Sequence, residues 1–335
     1  MWNLLPNEEQ TQIADSVRDY LARELPVDRF RPKAKPRDAA RVRAGMVELG
    51  WFGLGLPESV GGAGLGVVEE QIVQRECGRY LVSPSVLATV LGAHVAAEAG
   101  DGVLAGELIS GGRGAALAIV ADAEAGEAFA FDRSAGNLLL VWNDAGIGLF
   151  DAAAFTNAAP HTGLDDSVGV EAGTLTPGSP RYWLDAAGTT LVLRAQVLVA
   201  ASMCGIALHA TELSVEYAKV RQQFGKPIGT FQAVKHRCAD MGIRAQLAWS
   251  QAMLAGLKVG AGAPDAPVHV ASAVVVAADA AHENGRASIQ VHGGIGFQAE
   301  CDVHWFMKRA HLYEQAAGTL HRNALQLAAA PYHLW

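Results

Sequence analysis

The stretch VRQQFGKPIGTFQAVKH, Val220 to His236, decides how this chain is read. It closes one long apolar pattern and opens another. Between them a guanidinium (Arg221), an aromatic ring (Phe224) and an amide (Gln232) crowd one sharp corner. Gly225 and Pro227 predict the corner, because glycine enters left-handed backbone freely and proline lacks the amide donor that a helix needs. Upstream, the pattern from Thr190 to Gly225 predicts a long, mostly buried helix. Downstream, Thr230 is a candidate N-cap for a second helix reaching about Gly260. A third, from Ala266, is predicted to break at Gly293, Gly294 and Gly296, and a last one to run from about Asp302 toward Ala330.

Working outward, two further zones differ in texture. From Asn7 to about Gly100 the pattern is helical: Ile13, Val17 and Leu21 share one face, and Asn7 is a candidate N-cap with acidic residues behind it. From Gly112 to Ala187, short apolar runs alternate with Gly, Asn, Asp and Pro, which predicts a small antiparallel β domain. The predicted order is therefore an α+β chain with three parts: a helical domain over residues 1–111, a shortened β domain over 112–188, and a four-helix bundle over 189–335. The Gly-rich piece GGAGLG, Gly61 to Gly66, follows a Pro-Glu-Ser turn and not a β-branched strand. It reads as a structural turn rather than a dinucleotide fingerprint.

The chain has 335 residues, 50% of them hydrophobic and 18% charged, with a formal net charge of -8. An acidic balance argues against a nucleic-acid or anionic-membrane partner, although one local basic pocket for a phosphate ligand is compatible with it. The start of the sequence lacks a basic segment followed by an apolar run, and the apolar stretches are broken by polar residues. The expected setting is cytoplasmic, without a membrane. Cys77, Cys204, Cys238 and Cys301 are scattered, which predicts buried free thiols, no disulfide framework and no metal site.

RQQFGKPIGTFQAV and IQVHGGIGF, set in an α–β–α order, resemble the acyl-CoA dehydrogenases over nearly the whole length, most strongly after about Leu198. The resemblance implies FAD at a subunit interface and removal of two hydrogens from the α and β carbons of an acyl thioester. It implies that Arg221 reaches the FAD pyrophosphate, that Phe224 packs on the cofactor and that Gln232 bonds the adenosine half. Gln290, Gly293 and Gly294 then form a bare loop that the pyrophosphate approaches. A guanidinium suits the first task because its rigid fork of donors matches phosphate oxygens.

The same resemblance marks what is missing. The family's carboxylate base, which must take the α-proton, occupies one of two positions. Here they carry Ala317, within EQAAGT, and Ala195. Gln196 stands where many members have Arg, and the usual flavin-contacting runs are absent between Gly112 and Ala187. VWNDAG, Val141 to Gly146, shares only a Trp and an Asn with them. The chain thus resembles the short, non-catalytic subunit of the α2β2 acyl-CoA dehydrogenases of actinobacterial steroid degradation. That implies a longer partner subunit carrying the catalytic Glu, a shared FAD, an acyl-CoA substrate and an electron-transfer flavoprotein as acceptor. The alternatives are a homomeric dehydrogenase with Glu314 as a relocated base (His292 and His311 being further proton carriers), a flavin-free scaffold, or a lyase on the same fold.

Overall fold

The structure is a computed structural model and describes residues 3–331 apart from 123, 134–136, 177 and 179. The chain folds as two compact units: Met1–Arg37, Gln71–Leu81 and Gln196–Trp335 form one, Asp38–Glu70 and Val82–Ala195 the other.

The second unit is built on a seven-stranded sheet. Its strands are β1 (Ala115–Asp122), β2 (Glu127–Phe131), β3 (Leu138–Asn143), β4 (Gly146–Asp151), β5 (Phe155–His161), β6 (Val170–Leu175) and β7 (Tyr182–Asp185), in the spatial order β5-β6-β2-β1-β3-β4-β7. The sequence predicted an antiparallel sheet, and this one is mixed. β2 folds back on one edge of β1, leaving the other edge to β3, which pairs with β1 in parallel, Ala115 opposite Leu138. Alternation gives the sheet two buried faces. Ala116, Ala118, Ala128, Ala130, Leu139, Val141 and Phe150 form one core. On the opposite pleat, Ala115 and Leu149 lie against Gly92 of α4 (Pro84–Glu98), where an added Cβ would stand 3.3 Å from the Leu149 side chain. α4 is buried on nearly all sides, and Pro84 in its first turn and the Ser83 cap set its start. α2 (Ala39–Glu48), capped by Asp38, and α5 (Gly102–Ile109), capped by Asp101, complete the unit. α3 (Val67–Arg79) and α6 (Leu191–Val220) each give residues to both units.

The first unit is helical. α1 (Glu8–Glu24) begins at a capping box: Asn7 Oδ1 accepts the Gln10 amide at 2.8 Å and Gln10 Oε1 accepts the Asn7 amide at 3.0 Å. α7 (Gln232–Gly260), α9 (Val303–Ala316) and α10 (Leu320–Ala329) pack against α8 (Ala266–His292), and α6 meets α8 where Ser214 Oγ bonds Ser288 Oγ and α9 where the His209 and Phe306 rings lie 5.2 Å apart. α6 has the length and apolarity of a membrane span, yet 83% of its most apolar window is buried inside the protein, which makes it a core helix.

Close contacts fix where these helices lie. A Cβ on Gly205 would fall 1.9 Å from the Arg75 carbonyl oxygen and one on Gly78 2.0 Å from that of Ser202, so α3 and α6 touch backbone to backbone. Asn284 is wholly buried. Its Nδ2 donates to the Ala207 carbonyl, Thr211 Oγ1 and the Met241 carbonyl at 2.9–3.1 Å, while its Oδ1 accepts Arg244 Nη1 at 2.6 Å. One amide therefore ties α6, α7 and α8. The single last helix predicted to Ala330 is two helices: Gly318 at φ 90° and Thr319 at φ 58° break it, and Thr319 caps α10.

Candidate functional site

α6 stops at Val220, and Arg221 to Pro227 fold into a minimal hairpin. Gln222 pairs with Pro227 and Gln223 with Lys226, leaving Phe224 (φ 53°) and Gly225 (φ 75°) as the two loop residues. Two successive left-handed residues define a tight hairpin turn that favours Asn-Gly. A bulky phenylalanine in the first position is costly there, and its ring is 91% exposed. Among the described residues its one ring neighbour is Phe231, edge-on with centroids 6.1 Å apart, and Lys226 Nζ sits 4.6 Å over the Phe231 ring. Thr230, expected to cap α7, does not: Phe231 occupies the cap position, and the Thr230 hydroxyl donates to the Pro227 carbonyl at 2.7 Å.

The hairpin faces the end of α8 across a cleft of about 520 Å³, lined by Arg221, Tyr217, His292, Gly293, Gly294 and neighbours that include no carboxylate. Arg221 is exposed, and among the described residues it makes no ion pair and no side-chain hydrogen bond. Its backbone is firmly held, its amide donating to Tyr217 and its carbonyl accepting from Ile228. Gly293 adopts φ 63°, ψ -143°, a conformation open essentially to glycine alone. No protein atom lies within 4 Å of where a Cβ would stand on either Gly293 or Gly294. His292 stacks on Tyr217 at 4.1 Å, and its Nδ1 donates to the Ser288 carbonyl at 2.8 Å. Burial lowers its pKa, so at neutral pH the ring is uncharged and Arg221 supplies the cleft's positive charge.

The residues predicted from sequence are distributed unevenly. Arg221, Gly293 and Gly294 share the cleft. Phe224 lies at the hairpin tip, Gln232 is the exposed first residue of α7, and Gln290 is exposed in the last turn of α8, its carbonyl accepting the Gly293 amide. The two positions of the absent base are sealed: Ala195 is 0% and Ala317 1% exposed. Gln196 is buried as well. Glu314 is occupied, Oε2 by His282 Nε2 at 2.7 Å and Oε1 by the Leu320 amide at 3.2 Å, which is the arrangement of an anchoring carboxylate.

Sequence reading missed a buried triad in the second unit. Glu70 of α3 accepts from His94 Nε2 at 2.6 Å through Oε1 and from Arg194 Nη1 through Oε2, with the Gly55 backbone against them. Burial alone raises the Glu70 pKa, but His94 and Arg194 outweigh it and hold the carboxyl below its ordinary value. A low-pKa carboxylate with both oxygens engaged is a poor proton acceptor. Two other motifs resolve as turns. In GGAGLG the amides of Gly62, Ala63, Gly64 and Leu65 all donate to carbonyls between Gly53 and Pro57. In VWNDAG, Asn143 Oδ1 accepts the Ala145 and Gly146 amides between β3 and β4. All four cysteines are free; Cys77 and Cys204 are buried as expected, while Cys238 and Cys301 are half-buried.

Two family models match the chain: the acyl-CoA dehydrogenase N-terminal domain over residues 7–102 and the acyl-CoA dehydrogenase C-terminal domain over residues 185–330. The acyl-CoA dehydrogenase IpdE2 of Mycobacterium tuberculosis is 32% identical over 315 residues, covering 92% of each chain. The acyl-CoA dehydrogenase FadE34 of the same organism is 34% identical over 282 residues, which are 81% of this chain and 39% of FadE34. This chain therefore spans well under half of FadE34. A solved structure of the ChsE4-ChsE5 complex from M. tuberculosis aligns with a TM-score of 0.81 at 23% identity, covering 98% of this chain and 100% of that one, and shares the fold. The chain belongs to the acyl-CoA dehydrogenase family. That family implies FAD, and the cleft fits the cofactor's pyrophosphate: an unpaired guanidinium, no carboxylate, and open space over Gly293 and Gly294.

Proposed function

We propose that this chain is the non-catalytic partner subunit of a heteromeric FAD-dependent acyl-CoA dehydrogenase, completing the ADP-binding half of an FAD site held mainly by a longer subunit. The carrying observation is a contrast within the chain: the cleft beneath Arg221 is open and positively charged, while both base positions bear buried methyl groups. Arg221 would donate its fork to the pyrophosphate oxygens, with Gly293 and Gly294 offering bare backbone. Phe224 would cover the nucleotide, Gln232 would bond the adenosine half, and the exposed Gln290 would add a polar contact at the loop. FAD supplies the hydride acceptor for the β carbon; this chain's residues bind and orient it and move no proton. In support, ChsE4-ChsE5, which shares this fold, is a complex of two differently named chains.

The three-part division at residues 111 and 188, the cytoplasmic setting, the electron-transfer flavoprotein acceptor and a steroid side-chain thioester as substrate belong to the same reading. The last rests on the resemblance to paired steroid-degrading subunits and on no residue of this chain.

The test is co-expression with a longer homologue that carries the missing Glu. The expected result is a yellow complex that bleaches with acyl-CoA, a colourless chain when purified alone, and loss of FAD retention in the Arg221→Ala complex. Yellow, acyl-CoA-bleachable protein from the isolated chain would instead favour the homomeric reading with Glu314 as base. That reading has against it the engagement of both Glu314 oxygens.

A further inference from the structure

The sequence shows no metal motif, yet the first unit brings together three ligand-bearing side chains that the FAD site does not use. His282 projects from α8, and His311 and Glu314, three residues apart, project from one face of α9. One donor atom from each lies within 4.8 Å of the other two. The imidazole centroids of His282 and His311 are 4.3 Å apart, tilted by 48°.

The protein itself leaves this cluster incompletely satisfied. The His282–Glu314 contact uses one imidazole nitrogen. His282 Nδ1 is buried with no hydrogen-bond partner, in a residue only 8% exposed. Neither ring nitrogen of His311 has a hydrogen-bond partner among the described residues. Arg286, also on α8, is paired with Glu283. What remains is one carboxylate and two imidazole edges converging within 4.8 Å: a donor set for a divalent transition metal ion.

We propose that His282, His311 and Glu314 form a binding site for a divalent first-row transition metal of zinc type. Ligands held about 2.0–2.1 Å from a tetrahedral ion stand about 3.3 Å apart, so donor atoms now within 4.8 Å of one another need to close by up to about 1.5 Å, within reach of side-chain rotation. The ion takes the place of the Nε2 proton that His282 donates to Glu314, and that proton moves to Nδ1, so the imidazole binds as the neutral ligand. Three protein ligands leave one coordination position for water. The bound ion pins the last turn of α9 to α8 directly before the Gly318–Thr319 break. Glu314 thereby acts as an anchor whatever the chain's role in dehydrogenation.

The test uses the full chain, with its partner subunit if one co-purifies, stripped with chelator and titrated with Co²⁺ and then Zn²⁺. The expected results are ligand-field absorption saturating near one Co²⁺ per chain, displacement of that absorption by Zn²⁺, and a rise in melting temperature with Zn²⁺. His311→Ala and Glu314→Gln should each weaken Co²⁺ binding at least about tenfold, while the neighbouring exposed His321→Ala leaves it unchanged. His311 is half-exposed, so its substitution should be tolerated, and circular dichroism checks this. Absence of saturable ligand-field absorption in the wild-type chain overturns the site. So does Co²⁺ affinity indifferent to both ligand substitutions. Neither result bears on FAD retention, which tests the subunit reading separately.

Discussion

His94 Nε2 lies 2.6 Å from Glu70 Oε1, and both side chains are sealed from water, Glu70 at 2% and His94 at 7% exposure. Arg194 reaches the other carboxylate oxygen. A carboxylate so placed is ionised because its partners outweigh its desolvation, and removing it strands a half-buried guanidinium.

Glu70→Gln should therefore destabilise the chain by about 3–5 kcal/mol, the usual cost of breaking a buried pair from one side. The pH dependence has a fixed sign. The native pKa of Glu70 is depressed, so the unfolded chain, with an ordinary Glu pKa of about 4.3, binds the proton first as pH falls. The triad's contribution is complete above that value and is lost as pH drops through the native one. Urea denaturation of wild type and Glu70→Gln at neutral and acid pH measures this. An acid slope equal in the two proteins would show that Glu70 is not the group responsible.

Asn284→Ala removes one side chain that joins three helices through four hydrogen bonds. The partners left behind include the part-buried Arg244 guanidinium, and each unsatisfied buried group costs about 1–3 kcal/mol. A loss of at least about 3 kcal/mol is expected. Double-mutant cycles with Arg244→Ala should show coupling, since both substitutions remove the same 2.6 Å contact. Additive effects would mean the bond contributes little.

What the sequence made legible was local. The Asn7 cap, the face bearing Val17 and Leu21, the Gly225–Pro227 corner and the turn character of GGAGLG all depend on residues within one or two helical turns of each other. What stayed hidden depends on distance along the chain. Glu70 meets a histidine 24 residues away and an arginine 124 residues away, and His282 meets Glu314 across 32. The parallel pairing of β1 with β3 is a choice of partner, invisible to a period of two. Thr230 had the right chemistry for a cap, but the preceding Pro227 turn takes its hydroxyl. Of the cleft, Arg221 and the glycines were legible as a motif, whereas His292 stacked on Tyr217 required the fold.

Gly205→Ala tests the closest helix contact. The added methyl would lie 1.9 Å from the Arg75 carbonyl oxygen and 2.9 Å from the Arg79 amide nitrogen, both backbone atoms with no freedom to rotate away. Overpacking of this kind costs about 1–3 kcal/mol or more. Gly242→Ala is the control: that helical glycine has nothing within 4 Å of the new methyl, so the change should stabilise α7 by up to about 1 kcal/mol. Thermal melts of both variants, run side by side, should move in opposite directions. A neutral Gly205→Ala would show that α3 and α6 are not in backbone contact.

Phe224 offers the sharpest separation of stability from function. It occupies the left-handed first position of a two-residue turn at φ 53°, where Asn is accommodated and Phe is strained, and its 91% exposure means that burial within this chain does not offset that strain. Phe224→Asn should therefore stabilise the isolated chain by about 1 kcal/mol. If the ring covers a nucleotide at the subunit interface, the same substitution should weaken FAD retention by the assembled complex by roughly threefold to tenfold, the size of one aromatic contact. Gain in one measurement with loss in the other is the signature of a residue kept for binding at a cost in folding. A stabilised chain whose complex holds FAD as tightly as wild type would remove Phe224 from the clamp and leave Arg221 to account for it.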